Sequence, residues 1–151
     1  DSIVQPLLPI FEALGEKIII LGQQSAGATM KLAINSVIHS LNQATAESLN
    51  LAQAAGIDLP LAYEALESSA ACAPMLRYRK PIYLDEHAHQ VMFTVGLAAK
   101  DVDLATRLAH TLNVQMPQAE LNLGILNQAN QNGYAQRDMA SVISYLKKEH
   151  K

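Results

Sequence analysis

The sequence predicts a mainly α-helical fold built around one long central helix, preceded by a short helix and a single strand. Three observations carry this. Residues 27–55 contain no proline, and no glycine after Gly27; they are rich in Ala, Leu, Met, Gln and Glu, which favour helices. Apolar residues recur at helical spacing in most of the segments that follow. Only Lys17-Ile-Ile-Ile-Leu21 has the β-branched run, bounded by turn residues, that marks a buried strand.

The elements follow in order. Residues 5–14 read as a helix, with Pro6 in the first turn and Leu7, Leu8, Ile10, Phe11 and Leu14 as its apolar stripe. Gly15 stops it. The strand at 17–21 has no evident partner in the chain, and an unpaired strand leaves backbone groups unsatisfied. The long helix then runs to Gly56, a C-terminal stop. At about 1.5 Å per residue it is roughly 40 Å long, and its apolar and small residues predict cover on several sides. Asp58 and Pro60 start a helix to about Ala71. Residues 72–92, with two prolines and several charges, read as irregular. Helices follow over 93–112 and from Pro117 to near Gly133. Asp138 caps a last amphipathic helix.

The chain has 151 residues, half of them hydrophobic and 17% charged, so it can bury a real core. A net charge of −3 argues against a nucleic-acid footprint. The run Arg77-Tyr-Arg-Lys80 reads as a solvated loop. One cysteine, Cys72, excludes an internal disulfide and a cysteine metal cage and fits a reducing, cytoplasmic setting. His87 and His89 beside Asp85 and Glu86 have the wrong spacing for one helix face, so no metal site is expected. No aliphatic run is long enough to span a membrane.

The informative stretch is Gly22-Gln-Gln-Ser-Ala-Gly-Ala-Thr-Met-Lys31-Leu-Ala-Ile-Asn35. A glycine-bearing turn leads into a helix N-terminus, where backbone N–H groups can bind an anion or a carboxylate. Lys31 lies in the first turns, and Asn35 shares its face one turn later. The helix dipole, and burial if present, disfavour the ammonium there, which suits a lysine that exchanges protons. From these two residues alone an ordinary surface lysine beside an Asn is the more common reading, since such pairs are frequent. Gly22 and Gly27 have phosphate-loop spacing, but Ala28-Thr29 stands where Lys-Ser/Thr is required. His39 continues the same face and reads as a helix-packing histidine more readily than a site residue.

This stretch resembles the β-hydroxyacid dehydrogenases, such as 3-hydroxyisobutyrate dehydrogenase, tartronate semialdehyde reductase and the glyoxylate/succinic semialdehyde reductases. They carry G-x-x-G-x-G-x-x-x-K-x-x-x-N; Gly22, Gly27, Lys31 and Asn35 match, and Ser25 replaces the middle glycine. Their second signature, an aromatic followed by Lys-Asp, resembles Phe93 with Lys100-Asp101. Ala46-Glu47, Ala55-Gly-Ile-Asp58 and Pro117 also fit. The resemblance covers essentially the whole chain.

It implies the fold and the roles. Residues 1–25 would be the last helix and strand of an N-terminal Rossmann domain, and residues 26–151 an all-helical C-terminal catalytic and oligomerisation domain. Lys31 would be the general acid/base and Asn35 would hydrogen-bond the substrate, with Gly27 close by through its backbone. Lys100 would contact the nicotinamide end of NAD or NADP, with Phe93 packed nearby. The implied partners are a small hydroxy acid or semialdehyde and further copies of the chain. The chain alone, lacking a G-x-G-x-x-G loop, is expected to be inactive and to bind cofactor poorly. The alternative is a non-catalytic helical oligomerisation or interaction module, against which the presence of both Lys31 and Asn35 argues.

Overall fold

In the computed structural model residues 3–147 are described, and the chain divides into two compact units, one ending at Lys31 and one beginning at Leu32.

In the smaller unit a 3-10 turn, Gln5–Leu7, runs into α1 (Leu8–Leu14). Pro6 and Pro9 sit in the first turns, where a missing N–H breaks no helical bond. The Gly15 N–H closes the helix onto the Phe11 carbonyl. The buried strand expected at Lys17–Leu21 does not form. The segment has no regular secondary structure, and Ile19, Ile20 and Leu21 are 67%, 48% and 44% exposed. The reason is the one its isolation foreshadowed. A strand needs a neighbour for its N–H and C=O groups, and the described residues offer only an isolated bridge elsewhere, between Thr94 and Asp138.

The long helix α2 spans Ala26–Ala54, its first turns belonging to the smaller unit. Beyond Leu32 its buried residues are Ser36, His39, Asn42, Gln43, Thr45, Ala46 and Leu49, which recur every three or four positions along one side of the helix. Among the described residues the helix is covered on this face and not on several sides: Ile34, Val37 and Leu51 lie exposed. Gly56, with φ +86°, ends the helix in the left-handed conformation that glycine adopts without a Cβ clash.

The remaining helices of the larger unit are α3 (Leu59–Glu67), α4 (Pro74–Leu84), α5 (Val95–Thr111), α6 (Pro117–Ala129) and α7 (Val142–Lys147). Helix α3 stops four residues earlier than expected, at a Ser68 cap. Helix α4 falls where an irregular segment was expected. Pro74 occupies its tolerated first turn, and Pro81 lies inside it. The buried stripe of Met75, Leu76, Arg79, Ile82 and Tyr83 outweighs the missing hydrogen bond. Thr94 caps α5 by accepting from the Leu97 N–H at 3.1 Å. Helix α6 runs into a wide turn, Asn130–Tyr134, broken at Gly133 with φ +87°. Asp138 caps the turn that leads into α7, as the sequence indicated.

The core of this unit is Leu49, Tyr63, Leu76, Val95, Val102, Leu126, Tyr134 and Val142, all at most 2% exposed. Each such side chain contributes about 1.5–3 kcal/mol of burial free energy. That core fixes α2, α4 and α5 as a frame for the residues below.

Candidate functional site

Asn35 is half-buried on α2, and its Nδ2 donates to Asp101 Oδ2 at 2.7 Å. Lys100 Nζ lies 3.3 Å from the other oxygen, Asp101 Oδ1. The Asp101 side chain is 2% exposed and that of Lys100 58%. One buried carboxylate therefore joins the asparagine of the first motif to the lysine of the second. A carboxylate only accepts, so the Asn35 amide must turn its nitrogen toward it. Sequence reasoning quoted Asp101 in the motif but gave it no role. The signal was there: Asp101 interrupts the buried stripe of Ala98, Ala99, Val102 and Ala105 on α5, and a buried charge requires partners.

Phe93 precedes α5 and is partly buried. Its ring centroid is 5.6 Å from that of His39, inclined by 31°. Phe93, His39 and Asn35 share a cavity of about 220 Å³ with Tyr78, Arg79 and Met92. His39 is thus both things the sequence allowed, a packing residue on the buried face of α2 and part of a cavity wall.

Lys31 and Gly27 lie in the first turns of α2, within the smaller unit. Lys31 is solvent-exposed. A Cβ at Gly27 would meet open space, so among the described residues no neighbour demands glycine there.

Residues 25–146 match the family model described as the NAD-binding domain of NADP-dependent 3-hydroxyisobutyrate dehydrogenase. The chain belongs to this β-hydroxyacid dehydrogenase family. It is 28% identical over 146 residues to glyoxylate/succinic semialdehyde reductase 1 of Arabidopsis thaliana, covering 97% of this chain and 50% of that protein. It is 28% identical over 147 residues to 2-hydroxy-3-oxopropionate reductase of Escherichia coli K12, again covering 97% of this chain and 50% of the relative. A crystal structure of 3-hydroxyisobutyrate dehydrogenase from Salmonella typhimurium superposes with a TM-score of 0.87 at 25% identity, over 94% of this chain and 50% of that one. The chain thus spans about half the length of the relatives it matches. The mainly helical fold of the larger unit is that of the dehydrogenases' helical half.

One departure from the family motif gains a structural meaning. Ser25, where the dehydrogenases carry glycine, has φ +67°, a left-handed conformation that costs a side-chain-bearing residue roughly 1–2 kcal/mol. The acidic and imidazole cluster near residue 86 is otherwise engaged. Asp85 accepts from the N–H groups of His87 and Ala88, and Glu86 makes a two-point pair with Arg137, both contacts at 2.7 Å. Among the described residues no three His, Cys, Asp or Glu side chains group to hold a metal, and no helix is long and apolar enough to cross a membrane.

Proposed function

We propose that this chain is the C-terminal part of an NAD(P)-dependent β-hydroxyacid dehydrogenase or reductase acting on a small 3-hydroxy acid or aldehydic acid. The observation that supports it most is the Asn35–Asp101–Lys100 connection, which ties the two family signatures together through one buried carboxylate.

The residues suit the chemistry. Phe93 offers a flat apolar face and Lys100 an exposed ammonium, a pair that fits the nicotinamide end of the cofactor. The bound nicotinamide supplies or accepts the hydride. Lys31 gives a proton to the carbonyl oxygen during reduction and takes it back from the hydroxyl in oxidation. Asn35, its amide oriented by Asp101, hydrogen-bonds the substrate oxygen and keeps the reacting carbon in register. Gly27, lacking a side chain, lets the substrate approach the backbone of the first turn of α2.

In this reading residues 1–25 close a Rossmann domain and residues 26–151 form the catalytic and oligomerisation domain. The exposed Ile19, Ile20 and Leu21 then gain the sheet neighbours they lack here. The setting is cytoplasmic and the enzyme a homo-oligomer.

The test uses the full-length protein that carries this chain. NAD(P)H oxidation is followed with glyoxylate, succinic semialdehyde and 2-hydroxy-3-oxopropionate. We expect turnover with at least one, lost in Lys31→Met while the circular dichroism spectrum is unchanged. No turnover across the panel, or turnover that survives Lys31→Met, would refute the assignment, the first outcome favouring a non-catalytic helical module.

A further inference from the structure

We propose that Asp138 is a positioning residue for this site: paired with Arg79, it sets the main chain at Met92 and Phe93, and with it the Phe93 ring on the Asn35 cavity. The inference rests on the dehydrogenase reading of Phe93 and Asn35.

Asp138 does more than cap a helical turn. A cap uses one side-chain oxygen, and here Oδ1 accepts from the Ala140 N–H at 2.9 Å. The same Oδ1 is paired with the guanidinium of Arg79, both side chains being almost wholly buried. Oδ2 reaches across to the preceding segment and accepts from the N–H groups of Met92, at 2.9 Å, and Phe93, at 3.2 Å.

A short ladder continues the contact. The Met139 N–H donates to the Phe93 carbonyl at 2.8 Å, the Val95 N–H to the Arg137 carbonyl at 2.9 Å, and the Gly96 N–H to the Ala135 carbonyl at 3.0 Å. The main chain on both sides of the Phe93 ring is thereby tied to residues 135–139. Arg79 belongs to the wall of the cavity that holds Phe93 and Asn35, so the pair links the Phe93 backbone to that wall directly. A ring so held is oriented before any ligand arrives, and misplacement of about 1 Å at a reacting site can cost roughly a hundredfold in rate.

Asparagine at 138 has one accepting oxygen and cannot serve Arg79, Ala140 and the two amides together. The experiment therefore compares Asp138→Asn, Phe93→Leu and the double variant in the full-length enzyme, with Arg79→Lys as the milder change should Asp138→Asn fold poorly. Arg79→Lys keeps a buried cation but replaces the planar guanidinium, whose Nη2 meets Asp138 Oδ1, with a compact ammonium of different reach. Amide hydrogen exchange at Met92 and Phe93 is measured beside kcat and KM.

We expect exchange at these two amides to quicken in Asp138→Asn and Arg79→Lys, with kcat falling about tenfold and KM changing less, as for lost orientation. The double variant should be no slower than Phe93→Leu, because Asp138 acts through that ring. Multiplying losses in the double variant, or unchanged exchange with only a lower Tm, would overturn the proposal. Absence of turnover in the unaltered enzyme would remove the dehydrogenase reading and this inference with it, an outcome distinct from turnover with multiplying losses.

Discussion

The amide of Asn35 and the carboxylate of Asp101 meet at 2.7 Å although they are 66 positions apart. A hydrogen bond to a charged group contributes about 1.5–3 kcal/mol, whereas the neighbouring pair with exposed Lys100 contributes at most about 1 kcal/mol. The two can be separated. Asp101→Ala removes both and leaves the Asn35 amide without its acceptor, so it should lower both Tm and kcat. Asp101→Asn can still accept from Asn35 and should lose less stability. Lys100→Met should leave Tm nearly unchanged while raising the KM for NAD(P)H. Thermal melts and steady-state kinetics on the three variants check the order; a Lys100→Met variant as unstable as Asp101→Ala would contradict it.

Ser25 holds a left-handed backbone with φ +67° and Gly22 another with φ +76°. Glycine relieves the Cβ clash that such a conformation imposes. A Cβ at Gly22 would meet no neighbouring atom, so any cost of Gly22→Ala comes from backbone conformation alone. Ser25→Gly should stabilise the turn into α2 by about 1 kcal/mol, less the entropy glycine adds to the unfolded chain, and Gly22→Ala should destabilise it by a similar amount. Differential scanning calorimetry reads both. A lower Tm for Ser25→Gly would mean that the serine hydroxyl stabilises the turn by more than the strain it carries.

The long helix, the cap at Asp138 and the Gly56 stop were legible because each depends on neighbours in sequence; Asp58 does precede α3, but its side chain makes no capping hydrogen bond there. The helix over Pro74–Leu84 was not legible. Its two prolines and charges read as loop, and its stability comes from Met75, Leu76, Ile82 and Tyr83 reaching a core assembled by other helices. Lys17–Leu21 erred the other way: its β-branched residues have strand character, but pairing needs a partner that composition cannot supply. In the proposed site, Lys31 and Asn35 come from spacing and the family motif. Asp101 and the Arg79–Asp138 pair do not, since each works through contacts across helices distant in sequence.

Gly96 tests how tightly the segment after Phe93 is held. A Cβ there would stand 3.0 Å from the Ala135 carbonyl oxygen, which itself accepts the Gly96 N–H at 3.0 Å. The oxygen cannot retreat without weakening that bond. Gly96→Ala should therefore cost about 1–3 kcal/mol, despite the higher helix propensity of alanine. Urea unfolding of the variant gives the sign, and an unchanged midpoint would show that residues 134–138 shift freely.

Alkaline pH should unfold the protein through two tyrosines. Tyr63 Oη donates to the Leu76 carbonyl at 2.8 Å and Tyr83 Oη donates to Asn42 Oδ1 at 2.5 Å. Their rings lie 5.5 Å apart in the core. Burial, the leading cause, pushes both phenols above the usual tyrosine range. The folded protein thus holds the neutral phenols more tightly than the unfolded chain does. Stability from this source is fully present below the unfolded value of about 10 and is lost as pH rises beyond it. Tm should be insensitive to these two groups between neutrality and about pH 9 and fall steeply above about pH 10. Absorbance of tyrosinate at these positions should appear only with unfolding, as a cooperative step. Tyr83→Phe should flatten the alkaline fall while costing about 1 kcal/mol at neutral pH for the lost hydrogen bond. A smooth, non-cooperative titration of all five tyrosines near their ordinary value would show that Tyr63 and Tyr83 are not held in the core as neutral donors.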